Sequence, residues 1–550
     1  MVFRSLSASH TIYTRSPTPF CTMSTAKQNT FVHLHTLDLR IHDSPSLHLS
    51  HDQSSKLSSS ITHFLPVYIF DERQLDISHL PGGASPGRAR SDRPGVHQED
   101  HPRYEPKHTR NAPLSRVGVF HRTSPHRLAF LVESVYALRE TYRRSGGDML
   151  IGYGRPEVLL PKLLESVEGS IAGVWAQREY SLEESRILDK VRDALPEGVK
   201  LNLNDSKTLI PPKHLPFDPK RATPDVYTAF RKQVEGMGLN LGGGMLVEPL
   251  QTASWDLDGK KAEKVVVSVG KDRTKLKPFP GFKAEGNGWV SGQSEIDAPE
   301  GMYVKLSKPL FANPPLGGWS SAVQEGQLPG THQHSAIPFE GGENSALSRL
   351  EDYVGHGSGS NWQGGEKAKT YKDTRNGLIG DAFSTKFASF LSLGTLSARE
   401  AGWRVGELLE LVGRDKDVRN NVYCESWSRL KLKEAPANSP FSATPGIIFE
   451  LLWRDYFQFV VHQYAAVKPS SLFDATGFSS QISTYPADAR PNVDEWVKPN
   501  LADKEDVARR WCEGRTGVPF IDAAMIELRE TGYMSNRSRQ NVASFLTKDL

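Results

Sequence analysis

Three short stretches carry residue types at spacings that can do chemistry. The first, Gly380-Asp381-Ala382-Phe383-Ser384-Thr385-Lys386, leads into an apolar run through Phe387, Phe390 and Leu391. Two hydroxyls and a lysine opening a helix offer hydrogen-bond donors, the positive end of a helix dipole and a cation, which suits a phosphate. An ordinary N-cap would use the same Ser and Thr. The second stretch runs from Gly446 to Tyr456, where Glu450 and Arg454 stand four apart on one helix face with Trp453 beside them. A carboxylate, a guanidinium and an aromatic plane converging on a cavity can hold a flat polar ligand; a surface ion pair beside a core Trp is the plainer reading. In the third, Asn536, Arg539 and Gln540 again share one helical face, and Thr531–Lys548 holds Arg537, Arg539 and Lys548 without an acid. That makes it the best polyanion-facing stripe in the chain, with a solvated helix face as the alternative.

These stretches need a frame, and the 550 residues are enough for several domains. From Phe31 to about Ile210, short apolar runs (Val67–Phe70, Met149–Ile151, Ile171–Trp175) alternate with amphipathic stretches such as Leu128, Leu131, Val132, Val135 and Leu138. Strands alternating with helices predict a parallel, Rossmann-like α/β sheet domain. Residues 81–113, rich in Pro, Gly, Arg and His, read as an insertion in it. Residues 211–370 form a mixed connector, with helices expected over Asp225–Glu235 and Asn344–Tyr353 and loops over Gly355–Gly365. From Tyr371 onward the spacing turns to threes and fours, predicting an all-helical domain over 371–550 with helices at Phe383–Leu393, Ile447–Tyr464 and Ile521–Leu550.

Composition narrows the classes further. The net charge of +3 argues against a general nucleic-acid coat, so any basic surface is local. Cys21, Cys424 and Cys512 are far apart and form no CxxC pair, which speaks for a reducing intracellular compartment and against a disulfide framework. No metal site is expected. No apolar run approaches the roughly 20 residues of a membrane helix. Residues 1–30 contain Arg4, Arg15 and Lys27 among many Ser and Thr and no acid, the composition of a disordered leader or an organelle transit peptide, with the mitochondrion as candidate and cytoplasm or nucleus otherwise.

The order of the motifs resembles one family. YKDTRNGLIGDAFSTKF, ELLWRDYF, GRTGVPFIDAAMIELRETGYM, SNRSRQN and the closing TKDL are similar to the photolyase/cryptochrome family, DASH-type cryptochromes above all. Leu37-Asp38-Leu39-Arg40-Ile41-His42-Asp43 resembles its first-strand DLRxxDN signature, and LPFDPKRATPDVYTAFRKQVE its interdomain segment. The resemblance implies FAD held in a U shape by the helical domain. Tyr371, Ser384, Thr385, Lys386 and Phe387 would sit on the pyrophosphate side, and Glu450, Arg454, Asn536 and Arg539 would line the flavin cavity. It implies either blue-light reception or light-driven repair of cyclobutane pyrimidine dimers in single-stranded DNA, with the dimer flipped into the cavity. Glu450 and Asn536 would bond the dimer, Trp453 would stack on it, Gln540 would stand at the rim and Arg537 would meet the strand. RNA and signalling proteins are further candidate partners, and a monomer is expected. A 5,10-methenyltetrahydrofolate antenna would contact Glu179 and Glu184, and Trp496 would be the outer member of an electron relay.

Two departures qualify this. Where relatives read STKFSPW, Ala388-Ser389-Phe390 loses a hydroxyl. Family members also continue past KDL with tryptophans of the relay and acids that meet the ribose, the adenine and the flavin ring. The resemblance therefore implies a C-terminally truncated chain in which Arg539 lacks its acid and is solvated. A non-enzymatic nucleic-acid-binding remnant is the alternative.

Overall fold

The computed structural model describes residues 29–51, 60–72, 123–144, 147–237 (save 168), 246–250, 295–357 (save 313 and 315–317), 361–413, 444–464 and 506–550. Residues 81–113, Trp496 and all but the last two residues of the proposed leader lie outside that set.

Five strands, β1 (Asn29–His35), β2 (His63–Asp71), β3 (Leu150–Gly154), β4 (Ser170–Gln177) and β5 (Leu201–Asn204), form one sheet in the order β3-β2-β1-β4-β5. Every pairing is parallel; Val32 of the central β1 stands opposite Leu65 on one side and Val174 on the other. Among the described residues, α1 (Pro45–His51) follows β1, and α2 (Pro125–Arg144), α3 (Pro156–Glu165) and α4 (Leu182–Ala194) make the later crossovers. Alternation sorts β1 onto two faces. Phe31 joins Leu128, Val132 and Val135 of α2, whereas Val32 and Leu34 join Leu160 and Leu163 of α3 and Leu188 and Val191 of α4. Leu306 and Leu310 of α6 (Pro299–Ala312) close the first face. The expected strands are present; β1 and β5 were missed, because NTFVHLH breaks its apolar run with two histidines and LNLN is short.

The helical core gathers α5 (Tyr227–Glu235), α7 (Glu343–Val354), α8 (Glu366–Lys369), α9 (Tyr371–Thr374), α10 (Ala388–Leu393), α11 (Ala398–Gly413) and α12 (Thr444–Tyr464). Its centre is α12, whose Ile448, Leu452 and Phe459 pack with Phe230, Leu350, Tyr353, Phe390 and Leu408. Three last helices, α13 (Val507–Glu513), α14 (Pro519–Thr531) and α15 (Asn536–Lys548), surround a smaller cluster of Ile521, Ala524, Met534 and Val542.

Three expectations need correction. The helix predicted over Phe383–Leu393 begins only at Ala388, because Ser384 (φ 48°) and Lys386 (φ 57°) are left-handed and cannot continue a right-handed helix. The helix predicted over Ile521–Leu550 is two, broken where Gly532 takes φ 72° and Ser535 caps α15 through the Ser538 amide. The Leu37–Asp43 motif is not in the first strand but in the loop after it.

That loop joins the two halves of the molecule. The Arg40 guanidinium, fully buried, donates to the carbonyls of Gly394 (2.8 Å) and Ser206 (3.1 Å). Glu343 accepts from the amides of Ile41 (3.0 Å) and His42 (2.8 Å). Asp43 receives Arg399 through two bonds of 2.7 and 2.9 Å. Gly394 (φ 69°) comes so close that a Cβ there would lie 2.0 Å from the Leu37 carbonyl oxygen.

Candidate cofactor cavity

Parallel sheets bind ligands outside the carboxyl ends of their strands, at the point where strand order reverses. Here β1 is flanked by β2 and β4, and Leu37 after β1, Ser181 after β4 and Lys207 after β5 all reach one cavity of about 570 Å³. The opposite wall is helical: Tyr371 of α9, Thr385 and Phe387 of the turn, Leu391 and Ser392 of α10, and Glu450, Arg454 and Gln458 of α12. The last three are spaced by four and so share a face of that helix. A second cavity of about 920 Å³ shares Arg127, Tyr371, Thr385, Phe387 and Glu450 with the first. It extends to His126 of α2, the Tyr533-Met534 break, and Asn536 and Arg539 of α15. Each lies in the size range of small-molecule and cofactor sites.

The turn before α10 departs from the expected helix N-terminus. Lys386 in the left-handed region is followed by Phe387 in the right-handed one (φ −75°, ψ −13°), an alternation that turns successive backbone N–H groups toward one side. The Lys386 ammonium does not project from it. It donates to the carbonyls of Asp381 (3.3 Å) and Phe383 and lies 3.5 Å from the Phe383 ring centroid. Burial, with Arg349 adding repulsion, lowers its pKa to about 7. In place of the expected free cation at a helix N-terminus stands a lysine folded onto its own loop.

The expected partnership of Glu450 with Arg454 is also replaced. Glu450 pairs with Arg375 at 2.7 Å, both groups about one-third exposed, while Arg454 donates to the carbonyls of Lys207 (2.6 Å) and Leu391 (3.2 Å). Burial holds the Arg454 pKa below the ordinary arginine value. Next to it Asp455 turns inward and accepts the amides of Leu209 (3.0 Å) and Ile210 (2.9 Å). Its pKa is nonetheless pushed up to about 7, since burial outweighs Arg454 and both amides. Trp453 does not line either cavity: its ring stacks on Tyr227 at 3.5 Å and 13°, with Phe457 nearly parallel at 5.5 Å.

On α15, Asn536 and Arg539 line the outer cavity but Gln540 does not. Gln540 instead accepts a 3.3 Å bond from Arg537 on the exposed side. Arg539 is exposed and donates to the Met534 carbonyl at 3.0 Å. Of the two glutamates assigned to an antenna, Glu184 lines the inner cavity. Glu179 is buried and already bound by Thr36 (3.2 Å), Gln177 (3.1 Å) and Lys207, so it is not a solvated or free contact. Reading the sequence missed Arg127, Ser181, Lys207, Arg375 and Gln458. Gln458 was one helical turn beyond Arg454; Ser181 and Lys207 become visible only once strand ends are known.

Comparison with known proteins agrees with this architecture. Residues 104–251 match the family described as DNA photolyase, and residues 447–550 match the FAD binding domain of DNA photolyase. Cryptochrome DASH of Xenopus laevis is 32% identical over 93% of this chain and 69% of its own length. A putative cryptochrome DASH, mitochondrial, of Neurospora crassa is 28% identical over 93% of this chain and 60% of its own. The crystal structure of a Synechocystis sp. cryptochrome superposes with a TM-score of 0.57 at 25% identity, covering 95% of this chain and 75% of that one. The chain belongs to the photolyase/cryptochrome family, with cryptochrome DASH proteins as its relatives, and carries the family's FAD-binding domain.

Proposed function

We propose that the joined cavities hold FAD, and that the protein uses it as a DASH-type cryptochrome in light-driven repair of cyclobutane pyrimidine dimers in single-stranded DNA. The observation that carries this is the convergence on one hollow of a turn shaped for a diphosphate, a carboxylate–guanidinium pair and the Asn536–Arg539 face. The donor set fits the group. The backbone amides and hydroxyls of Ser384 and Thr385 supply donors to a diphosphate, and Tyr371 supplies an apolar wall. When bound and photoexcited in its reduced form, the cofactor would supply the electron that opens the dimer. The chain's own residues bind and orient. Glu450, about one-third exposed and held by Arg375, would accept from a base edge, and Asn536 would bond it from across the cavity. Arg537, outside the hollow, would meet a phosphate of the strand. Trp453 has no part in this scheme, because its ring is already stacked. A single strand is the favoured substrate because no partner base has to be unpaired.

The test is flavin content of the purified protein, then blue-light repair of a dimer-containing oligonucleotide. Bound flavin with dimer loss in the single strand supports the proposal. Bound flavin without dimer loss leaves blue-light reception as the function, and protein that retains DNA affinity but takes up no flavin supports the nucleic-acid-binding remnant.

A further inference from the structure

Away from the cavities, one cluster of side chains has the composition of a metal site. On β1, His33 and His35 are two residues apart and therefore on the same face of the sheet. The loop that follows folds Asp38 back onto them. One ligand atom from each of the three lies within 4.8 Å of the other two, and all three residues are buried. The His33 Nε2 to Asp38 Oδ2 distance is 3.1 Å, and His35 Nδ1 lies 3.5 Å from Asp38 Oδ1 and 3.2 Å from the Asp38 carbonyl oxygen. Ligand atoms about 3–3.5 Å apart are what a tetrahedral ion with bonds near 2.0–2.1 Å requires.

From this geometry we infer that His33, His35 and Asp38 form a structural site for a divalent transition ion, Zn(II) in the first place. Two further observations support it. Asp38 is a buried carboxylate whose two oxygens face different imidazoles, Oδ2 toward His33 and Oδ1 toward His35, with the Thr36 amide donating to Oδ1 (2.8 Å). The His35 ring is oriented from behind by the Tyr142 hydroxyl, 2.9 Å from Nε2, the outer bond that metal-binding histidines regularly have. Two imidazoles and a carboxylate without thiolate suit Zn(II), Co(II), Ni(II) or Fe(II) and disfavour Mg(II) and Ca(II). The second carboxylate oxygen or the Asp38 carbonyl can complete four coordination.

The ion would pin the start of the very loop that carries Arg40, His42 and Asp43 to the helical half, so its binding would be coupled to folding. The test unfolds the full chain with chelator and refolds it with Zn(II), with Mg(II) or with chelator alone. The expected result is about one Zn per chain, an absorption edge spectrum showing only N/O neighbours, and a melting temperature raised by Zn(II) but not Mg(II). His33→Gln and Asp38→Asn should lose the ion and the Zn-dependent shift. If either variant does not fold, Co(II) substitution of the wild-type chain reads the same site through its tetrahedral d–d bands. Wild type refolded in Zn(II) with no bound ion, a sulfur-containing shell pointing to the cysteines, or an unchanged melting temperature overturns the inference.

Discussion

The clasp between Asp43 and Arg399 allows a quantitative prediction. The Asp43 side chain is fully buried and that of Arg399 only 7% exposed. Besides the two Arg399 bonds, Asp43 accepts from the Leu250 amide (2.9 Å) and the Ser397 hydroxyl. Asp43→Asn keeps the left-handed backbone (φ 47°), which Asn tolerates, but leaves a buried guanidinium without its counter-charge. Breaking a buried pair from one side costs about 3–5 kcal/mol, against at most about 1 kcal/mol for an exposed one. Arg399→Met should cost a similar amount, because Asp43 then stays buried with two neutral donors. The double variant should fall short of the summed losses by about 1–3 kcal/mol, the coupling of neighbours that share a network. Urea unfolding followed by circular dichroism measures this, with tryptophan fluorescence, to which Trp175 of the sheet domain (stacked on Phe31 at 3.7 Å) and Trp453 of the helical one both contribute, as a second probe. If the clasp holds the halves together, the single variants should also separate the two transitions. Single variants within about 1 kcal/mol of wild type, with additive effects in the double, would refute the reasoning.

Three other outcomes follow from the same structure. Gly394→Ala should cost at least about 2 kcal/mol, since the left-handed penalty is joined by a clash with the Leu37 carbonyl, whereas Gly198→Ala, equally left-handed but in open space, should cost only about 1–2 kcal/mol; thermal melts distinguish the two. Asp455, raised to about 7 by burial, takes up protons on folding, so its contribution to stability is full below pH ~4 and is lost as the pH climbs through about 7; the stability–pH slope in that window should flatten in Asp455→Asn, and an unchanged slope counts against the assignment. Glu450→Gln and Arg375→Ala should each change stability by less than about 1 kcal/mol, because their pair is partly exposed, yet lower flavin retention; equal retention across wild type and both variants would remove the pair from the site.

How far the sequence could be read depended on how local each signal was. Val67–Phe70 and Ile171–Trp175 announced themselves as buried strands because both faces of a covered parallel sheet are apolar. β1 did not, since His33 and His35 are polar residues whose burial is compensated only by Asp38 and Tyr142, one of them 107 positions away. The helical spacing of Glu450 and Arg454 was right, but spacing does not choose partners: Arg375 outcompeted Arg454 for Glu450, and Lys207 and Leu391 took Arg454. At Ser384–Lys386 the motif itself was legible, yet its left-handed angles were not, because Ser and Lys carry no marker for them as Gly does.

The loop after β1 ties the cavity to the clasp, and that has a thermodynamic consequence. Leu37 lines the inner cavity and its carbonyl accepts from Gln177 (2.9 Å), while three to six residues on, Arg40, His42 and Asp43 hold the helical half. A ligand in a cavity walled by both halves binds the docked arrangement and not the separated one. At one hundred times its dissociation constant it therefore stabilises docking by about 2.7 kcal/mol. That is close to the lower end of the cost assigned to Arg399→Met. FAD at that ratio should thus offset most of the stability Arg399→Met loses and should draw the separated transitions of the variant back into one, while Asp455→Asn, whose carboxyl site bonds Leu209 and Ile210 away from the cavities, shows no such merging. An Arg399→Met chain that still unfolds in two steps with FAD bound, the ligand shifting only the helical step, would mean that the cavity is formed by the helical half alone.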